Sequence, residues 1–246
     1  MPPITKDTTP NITLYTHRRC PWAHRAHIVI RELGLPYEEV IIDLDKPREP
    51  WYLELNPRGL VPTIKYSNGD LSEEIITESA VVSHFLADAH PSHLVPRSGT
   101  PEAALKRARI NSFVDTWVSK CGSFWMRIAK EENADEKEKL AQQLVSLVGK
   151  EVDPLLKDAA PFFGGSDKFT LAEALVAPFI LRLYALTKNG LLPQSIVTGF
   201  TTLPHFSNWA TEVIKQDSVT YTWDENVIIE GTKRKIASLK AQAQKM

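Results

Sequence analysis

At 246 residues, 43% hydrophobic and 24% charged, the chain has the composition of an ordinary globular protein, long for one domain and short for two large ones. A formal net charge of -1 excludes a global field that would recruit nucleic acid or an anionic membrane. Two cysteines, Cys20 and Cys121, exclude a disulfide framework, and neither a signal-peptide core at Met1–Asp7 nor a bilayer-spanning run is present, so a cytoplasmic protein is expected.

In chain order, residues 1–10 read as a disordered lead and Ile12–Tyr15 as a short strand. A helix follows, with Pro21 at its first position and Cys20 as cap. Trp22, Ala23, Ala26, Val29, Ile30 and Leu33 recur along it at helical spacing, and Gly34 ends it. Tyr37–Leu44 is a second strand, which makes a βαβ unit with parallel strands. Trp51, Tyr52, Leu53 and Leu55 suit a short helix, and Asn56-Pro57-Arg58-Gly59 a turn. Val61–Tyr66 reads as a third strand with Pro62 at its start. The Ser67-Asn68-Gly69-Asp70 turn returns the chain antiparallel through Glu74, Ile75 and Ile76. A helix over Ser79–His90 should bury Val81, Val82, Phe85, Leu86 and Ala89.

The fold class is therefore α/β followed by all-α: a thioredoxin-like domain with a mixed four-stranded sheet over residues 1–92, a linker at 93–103 rich in Pro and Ser, and a helical domain over 104–246. Helices are expected at 102–130, 136–158, 171–188 and 204–215, with a tail helix near 230–245. Thr170-Leu171-Ala172-Glu173 is a capping box. The run Glu131–Lys139 reads as a solvated connection, and Lys233, Arg234, Lys235, Lys240 and Lys245 as the exposed face of the tail.

Cys20 stands where a strand becomes a helix. The helix N-terminus offers unpaired N–H groups and about half a positive charge, which favour a thiolate. Arg18, Arg19 and Arg25 add positive charge in directions the sequence leaves open. Position 23 is Ala23, so the second thiol of a Cys-x-x-Cys pair is absent and an external thiol must resolve any disulfide formed at Cys20. The alternatives are a buried structural cysteine, a metal site in which Cys20, His24 and His27 share a helix face, and a Cys–His hydrolase using His17. The metal reading lacks a further ligand and the hydrolase a local signature, so no metal is expected. Cys121, among Phe113, Trp117, Phe124 and Trp125, reads as a small core hydrophobe.

Taken together the chain resembles a glutathione transferase, and within that superfamily the omega class. The resemblance rests on Cys20-Pro21-Trp22-Ala23 after a first strand, on Asn56-Pro57-Arg58-Gly59-Leu60-Val61-Pro62, and on Glu78-Ser79-Ala80 opening a helix. It implies Cys20 as the catalytic cysteine, with glutathione as cosubstrate. Trp22 and the Val61 backbone would lie against glutathione, Pro62 would be the cis-proline, and Glu78 and Ser79 would hold the γ-glutamyl end, Ser79 from a helix N-terminus. Arg48, or Lys46 in its place, matches the cation that meets the glycyl carboxylate. The resemblance also implies thiol transfer exceeding conjugation, dehydroascorbate reduction as a related reaction, and a homodimer. Its alternative is a non-enzymatic ligand carrier or regulatory protein on the same fold. An electrophile pocket would draw on Trp117, Trp125, Arg182, Tyr184 and Trp223. Arg182 leads that set, because it follows an almost wholly apolar run and needs a partner.

Overall fold

The computed structural model describes residues 9–69 and 71–243. The lead over residues 1–8, Asp70 of the hairpin and Lys245 of the tail lie outside the described residues. The chain divides into two compact units, Met1–Ser92 and His93–Met246.

The first unit is built on four strands: β1 (Asn11–Thr16), β2 (Glu38–Ile41), β3 (Thr63–Asn68) and β4 (Leu71–Thr77). Their order is β2-β1-β3-β4. β1 runs parallel to β2 and antiparallel to β3, and β3 is antiparallel to β4, so the sheet is mixed. Leu14 faces Ile64, and Ile64 faces Ile76. Ile12, Leu14 and Ile64 are almost fully buried and pin the register. Between the strands stand α1 (Pro21–Glu32), α2 (Pro50–Leu55) and α3 (Ser79–Ala89), with α1 packed on α3.

The buried faces of these helices differ from the periodic expectation. On α3 the buried residues are Ser79, Val82, Ser83, Leu86 and Ala87, whereas Val81 and Ala89 are exposed and Phe85 is half-buried. The Ser83 hydroxyl donates to the Ser79 carbonyl at 2.8 Å, so a polar residue sits in the core satisfied by its own helix. On α1 the interior is wider than expected. His24, Arg25 and His27 are buried beside Ala23, Ala26 and Ile28–Ile30, whereas Trp22 is exposed and Leu33 half-buried.

The second unit is helical. Its elements are α4 (Pro101–Thr116), α5 (Phe124–Lys130), α6 (Ala134–Leu147), α7 (Leu171–Lys188), α8 (Ser195–Phe200), α9 (Pro204–Val213), α10 (Asp217–Thr220) and α11 (Glu225–Ala243). The helix expected over 102–130 is broken by a π turn at Trp117–Cys121, and the one over 136–158 passes into a π turn at Val148–Val152 and a 3-10 turn. α8 and α10 were not expected, and α11 begins earlier than the tail reading placed it. The charged run does not stay a loop: Asn133 accepts from the Glu136 N–H at 3.0 Å and starts α6. α7 is the hub. Residues 171–180 are all buried, and α4, α8, α9, α10 and α11 pack around it, as a helix apolar on every side requires.

Candidate functional site

Cys20 is the residue at which β1, the polar turn His17-Arg18-Arg19 and α1 meet. Its backbone is extended (φ -79°, ψ 120°), its N–H donates to the His17 carbonyl at 2.9 Å, and its carbonyl accepts the His24 N–H at 3.0 Å. No side chain caps α1, and Pro21 occupies the first helical position. The half-buried thiol packs against a cluster of Tyr15, Ala23, Ile42, Tyr52 and Val61. Its Sγ lies 3.9 Å from the Val61 carbonyl oxygen. Two segments far apart in sequence thus meet at the sulfur.

The Val61 segment is held from beneath. The Leu60 carbonyl accepts from the Tyr52 hydroxyl at 2.5 Å and from Asn56 Nδ2 at 2.9 Å, and both groups also reach Thr63 Oγ1 at 3.0 Å. Tyr52, Asn56 and Thr63 are all buried. The Val61–Pro62 peptide is cis, and the β3 ladder begins just beyond it at Thr63. Gly59 turns with φ 62°, and a Cβ there would come within 2.9 Å of Arg48 Cγ, so glycine serves both the turn and the close approach.

Arg48 proves to be a loop brace. Its Nε donates to the Gly59 carbonyl at 2.9 Å, and its Nη1 donates to the Asp43 and Lys46 carbonyls at 2.7 and 2.8 Å. Lys46 is exposed, 3.5 Å from the Asp43 carboxylate. Both cations line a cavity of about 170 Å³ with Ile42, Trp51 and Tyr52.

Glu78 and Ser79 open α3. Glu78 adopts φ 69°, a left-handed value uncommon for a residue with a Cβ, and its carboxylate is ion-paired with Arg58. Ser79 is buried, and its Oγ accepts from Arg25 Nη1 at 3.2 Å. The directions of the three arginines are now fixed. Arg18 meets Glu39 at 2.7 Å, Arg19 meets Asp45 at 2.7 Å, and Arg25 turns inward with its guanidinium over the Trp22 ring at 4.5 Å.

The histidines of this region serve the fold. His17 Nδ1 accepts the Arg19 N–H at 3.1 Å, and burial holds its pKa below the usual imidazole value. His27 lies 2.9 Å from Thr16 Oγ1 and 3.3 Å from the Tyr37 hydroxyl, and burial pushes its pKa down to about 4. Among the described residues, no group of three or more His, Cys, Asp or Glu could hold a metal ion.

In the helical unit the five pocket candidates do not converge. Trp117 is corrected to a core residue: it is 1% exposed and stacks parallel to Phe206. Arg182 has the partner its setting demanded. Nη1 donates to the Pro178 carbonyl at 2.9 Å, and the guanidinium lies 5.3 Å from the Trp223 ring centre. Tyr184 instead lines an open cavity of about 440 Å³ with Leu181, Val197 and Glu225, and Trp125 is half-buried on α5. Cys121 is buried at the π turn, where loss of water pushes its thiol up to about 12.

Tyr52, Asn56, Thr63 and Arg58 escaped the sequence reading. Their signal was present: three hydrogen-bonding side chains in a short segment that must bury them have to satisfy one another.

No helix among the described residues is long and apolar enough to cross a membrane. Residues 19–89 match the family model described as glutathione S-transferase, N-terminal domain. The chain is 30% identical over 178 residues to glutathione S-transferase omega-1 of Rattus norvegicus, covering 72% of this chain and 69% of the relative. It is 28% identical to the omega-1 protein of Sus scrofa over 85% of this chain and 79% of that one. The crystal structure of glutathione transferase Omega 2C from Trametes versicolor superimposes with a TM-score of 0.77 at 27% identity, over 92% of this chain and 99% of that one. A thiol at an uncapped helix start, beside a cis-proline segment on a mixed four-stranded sheet, is thus accompanied by matching relatives along most of the chain, which belongs to the glutathione S-transferase family and, within it, to the omega class.

Proposed function

We propose that the protein is a glutathione-dependent thiol transferase that works through a mixed disulfide between Cys20 and glutathione. The observation that carries this reading is the position of the Cys20 sulfur, at a helix start with no side-chain cap and 3.9 Å from the Val61 carbonyl. A hydroxyl at that point could only hydrogen-bond a bound thiolate. A thiol can exchange with it.

The Cys20 thiolate attacks the glutathionyl sulfur of a mixed disulfide. The new S–S bond forms as the old one breaks, and the target leaves as its thiolate. A second glutathione thiolate then attacks the adduct, which releases oxidised glutathione and regenerates Cys20. The target gains two electrons and two glutathione thiols supply them. Dehydroascorbate is a further two-electron acceptor for the same cycle.

Glutathione would lie with its cysteinyl backbone along Val61 and Pro62 and its γ-glutamyl end at the start of α3, against Glu78 and Ser79. Trp22 would flank the sulfur. Lys46 and Arg48 would form the positive wall for the glycyl carboxylate, Lys46 by its exposed charge and Arg48 by shaping the loop.

The test is reduction of hydroxyethyl disulfide by glutathione. Cys20→Ala should lower turnover to the uncatalysed rate. Equal rates in variant and wild type would overturn the mechanism and leave a ligand-carrying member of the family. Incubation with oxidised glutathione should add one glutathionyl group, on the peptide that contains Cys20.

A further inference from the structure

Three arginines lie within five positions of Cys20, and they do different things. Arg18 and Arg19 reach acids supplied by β2 and the loop after it. Arg25 is 2% exposed, one and a half helical turns into α1. A guanidinium taken out of water is costly unless other groups replace its hydration. Here the Trp22 ring lies over its face and Ser79 Oγ receives Nη1 at 3.2 Å. Burial pushes the Arg25 pKa down to about 9, and a negative charge on Cys20 acts in the opposite direction, so Arg25 stays charged at neutral pH.

From this geometry we infer that Arg25 is a positioning residue. Its one buried charge holds Cys20 as the thiolate, and its Nη1 fixes Ser79, so the nucleophile and the start of α3 are set by the same group. The inference rests on the reading of Cys20 as nucleophile. It adds that the charge state of the sulfur depends on a residue that does not touch the reacting atoms.

The surrounding groups are unsuited to that task. Tyr15 and Tyr52 belong to the cluster beneath Cys20, and burial raises the Tyr52 phenol, so it remains neutral. His17 on the entry turn is held low by burial and is neutral at pH 7. Arg19 is engaged with Asp45, and Glu78, next to Ser79, with Arg58. An opposite charge within a few ångströms lowers a thiol pKa by about one to three units, whereas a solvated charge a Debye length away does far less.

The experiment is the rate of Cys20 carbamidomethylation by iodoacetamide from pH 5 to 9.5, read by intact mass and peptide mapping. Cys121 should stay unmodified throughout. The wild-type midpoint should lie below the ~8.5 of an unperturbed cysteine. Arg25→Lys, which keeps a charge, should stay within a few tenths of wild type. Arg25→Met should move the midpoint up by about one unit, roughly a tenfold slower reaction at pH 6. A folded Arg25→Met with the wild-type midpoint overturns the inference, since a merely structural arginine would lower Tm and leave the midpoint in place. If Arg25→Met does not melt cooperatively, wild type decides in 20 mM against 500 mM KCl. A buried charge keeps most of its effect, and a midpoint returning to ~8.5 in high salt assigns the shift to surface charge and overturns the inference. A wild-type midpoint near 8.5 in low salt removes the Cys20 mechanism as well, whereas an unmoved Arg25→Met removes only the role of Arg25.

Discussion

Two helix starts in this molecule face the same physical problem and resolve it oppositely. At the start of α7, Thr170 Oγ1 accepts the Ala172 N–H at 3.2 Å and donates to Glu173 Oε2 at 2.5 Å. The Glu173 carboxylate is fully buried, and it also accepts from the Thr170 N–H, the Phe163 N–H and Trp209 Nε1, all within 2.9 Å. Burial alone raises its pKa, and the donors around it pull the other way. At the start of α1 there is Cys20, with no side-chain cap and a proline that has no N–H to satisfy. The first start uses the N-terminal field of its helix inside the fold. The second leaves that field to act on a sulfur and on whatever the sulfur meets.

The contrast can be broken most easily at α7. Glu173→Ala strands three buried N–H donors and should cost about 3–5 kcal/mol, read by urea unfolding. A loss under about 1 kcal/mol would show that water replaces the carboxylate and that the cap is not closed. Thr170→Ala should cost about 1–2 kcal/mol and leave thiol transfer per folded molecule unchanged. A matching loss of turnover would mean that the two starts are coupled.

The smallest effect is the most informative. Cys20→Ser should abolish thiol transfer, yet raise stability by up to about 1 kcal/mol, because serine is a far better helix cap. A protein less stable with serine than with cysteine would indicate that Cys20 contributes to the fold through its packing against Tyr52 and Val61, and the contrast with Thr170 would weaken.

The sequence carried the fold and the position of the thiol further than it carried the site. The βαβ unit, the hairpin and the capped α7 follow from periodicities of two and 3.6 and from turn residues, all of which are local. The face of α3 was misphased, since Ser79 and Ser83 look like solvent residues until Ser83 is seen to bond its own helix. The π turns at Trp117–Cys121 and Val148–Val152 are made of residues that suit an unbroken helix, so nothing local announces them. At the site, the directions of Arg18 and Arg19 are set by Glu39 and Asp45, which only strand pairing brings close. Arg25 resembles a surface cation in sequence and is buried because Trp22 and Ser79 receive it. Trp117 shows the converse: an aromatic that suited a pocket wall fills the core against Phe206.

The Tyr52–Asn56–Thr63 cluster bears on how a ligand is met. Because two buried side chains converge on the Leu60 carbonyl, the Val61 edge is ordered before anything binds. The conformational entropy of that segment is lost once, during folding, at roughly 1–2 kcal/mol per residue, and not again at each encounter. An enzyme that must take up glutathione twice in every cycle gains from this both times, since neither arrival waits for a loop to close. The rate of the cycle then passes to the chemistry at the sulfur and to the departure of oxidised glutathione.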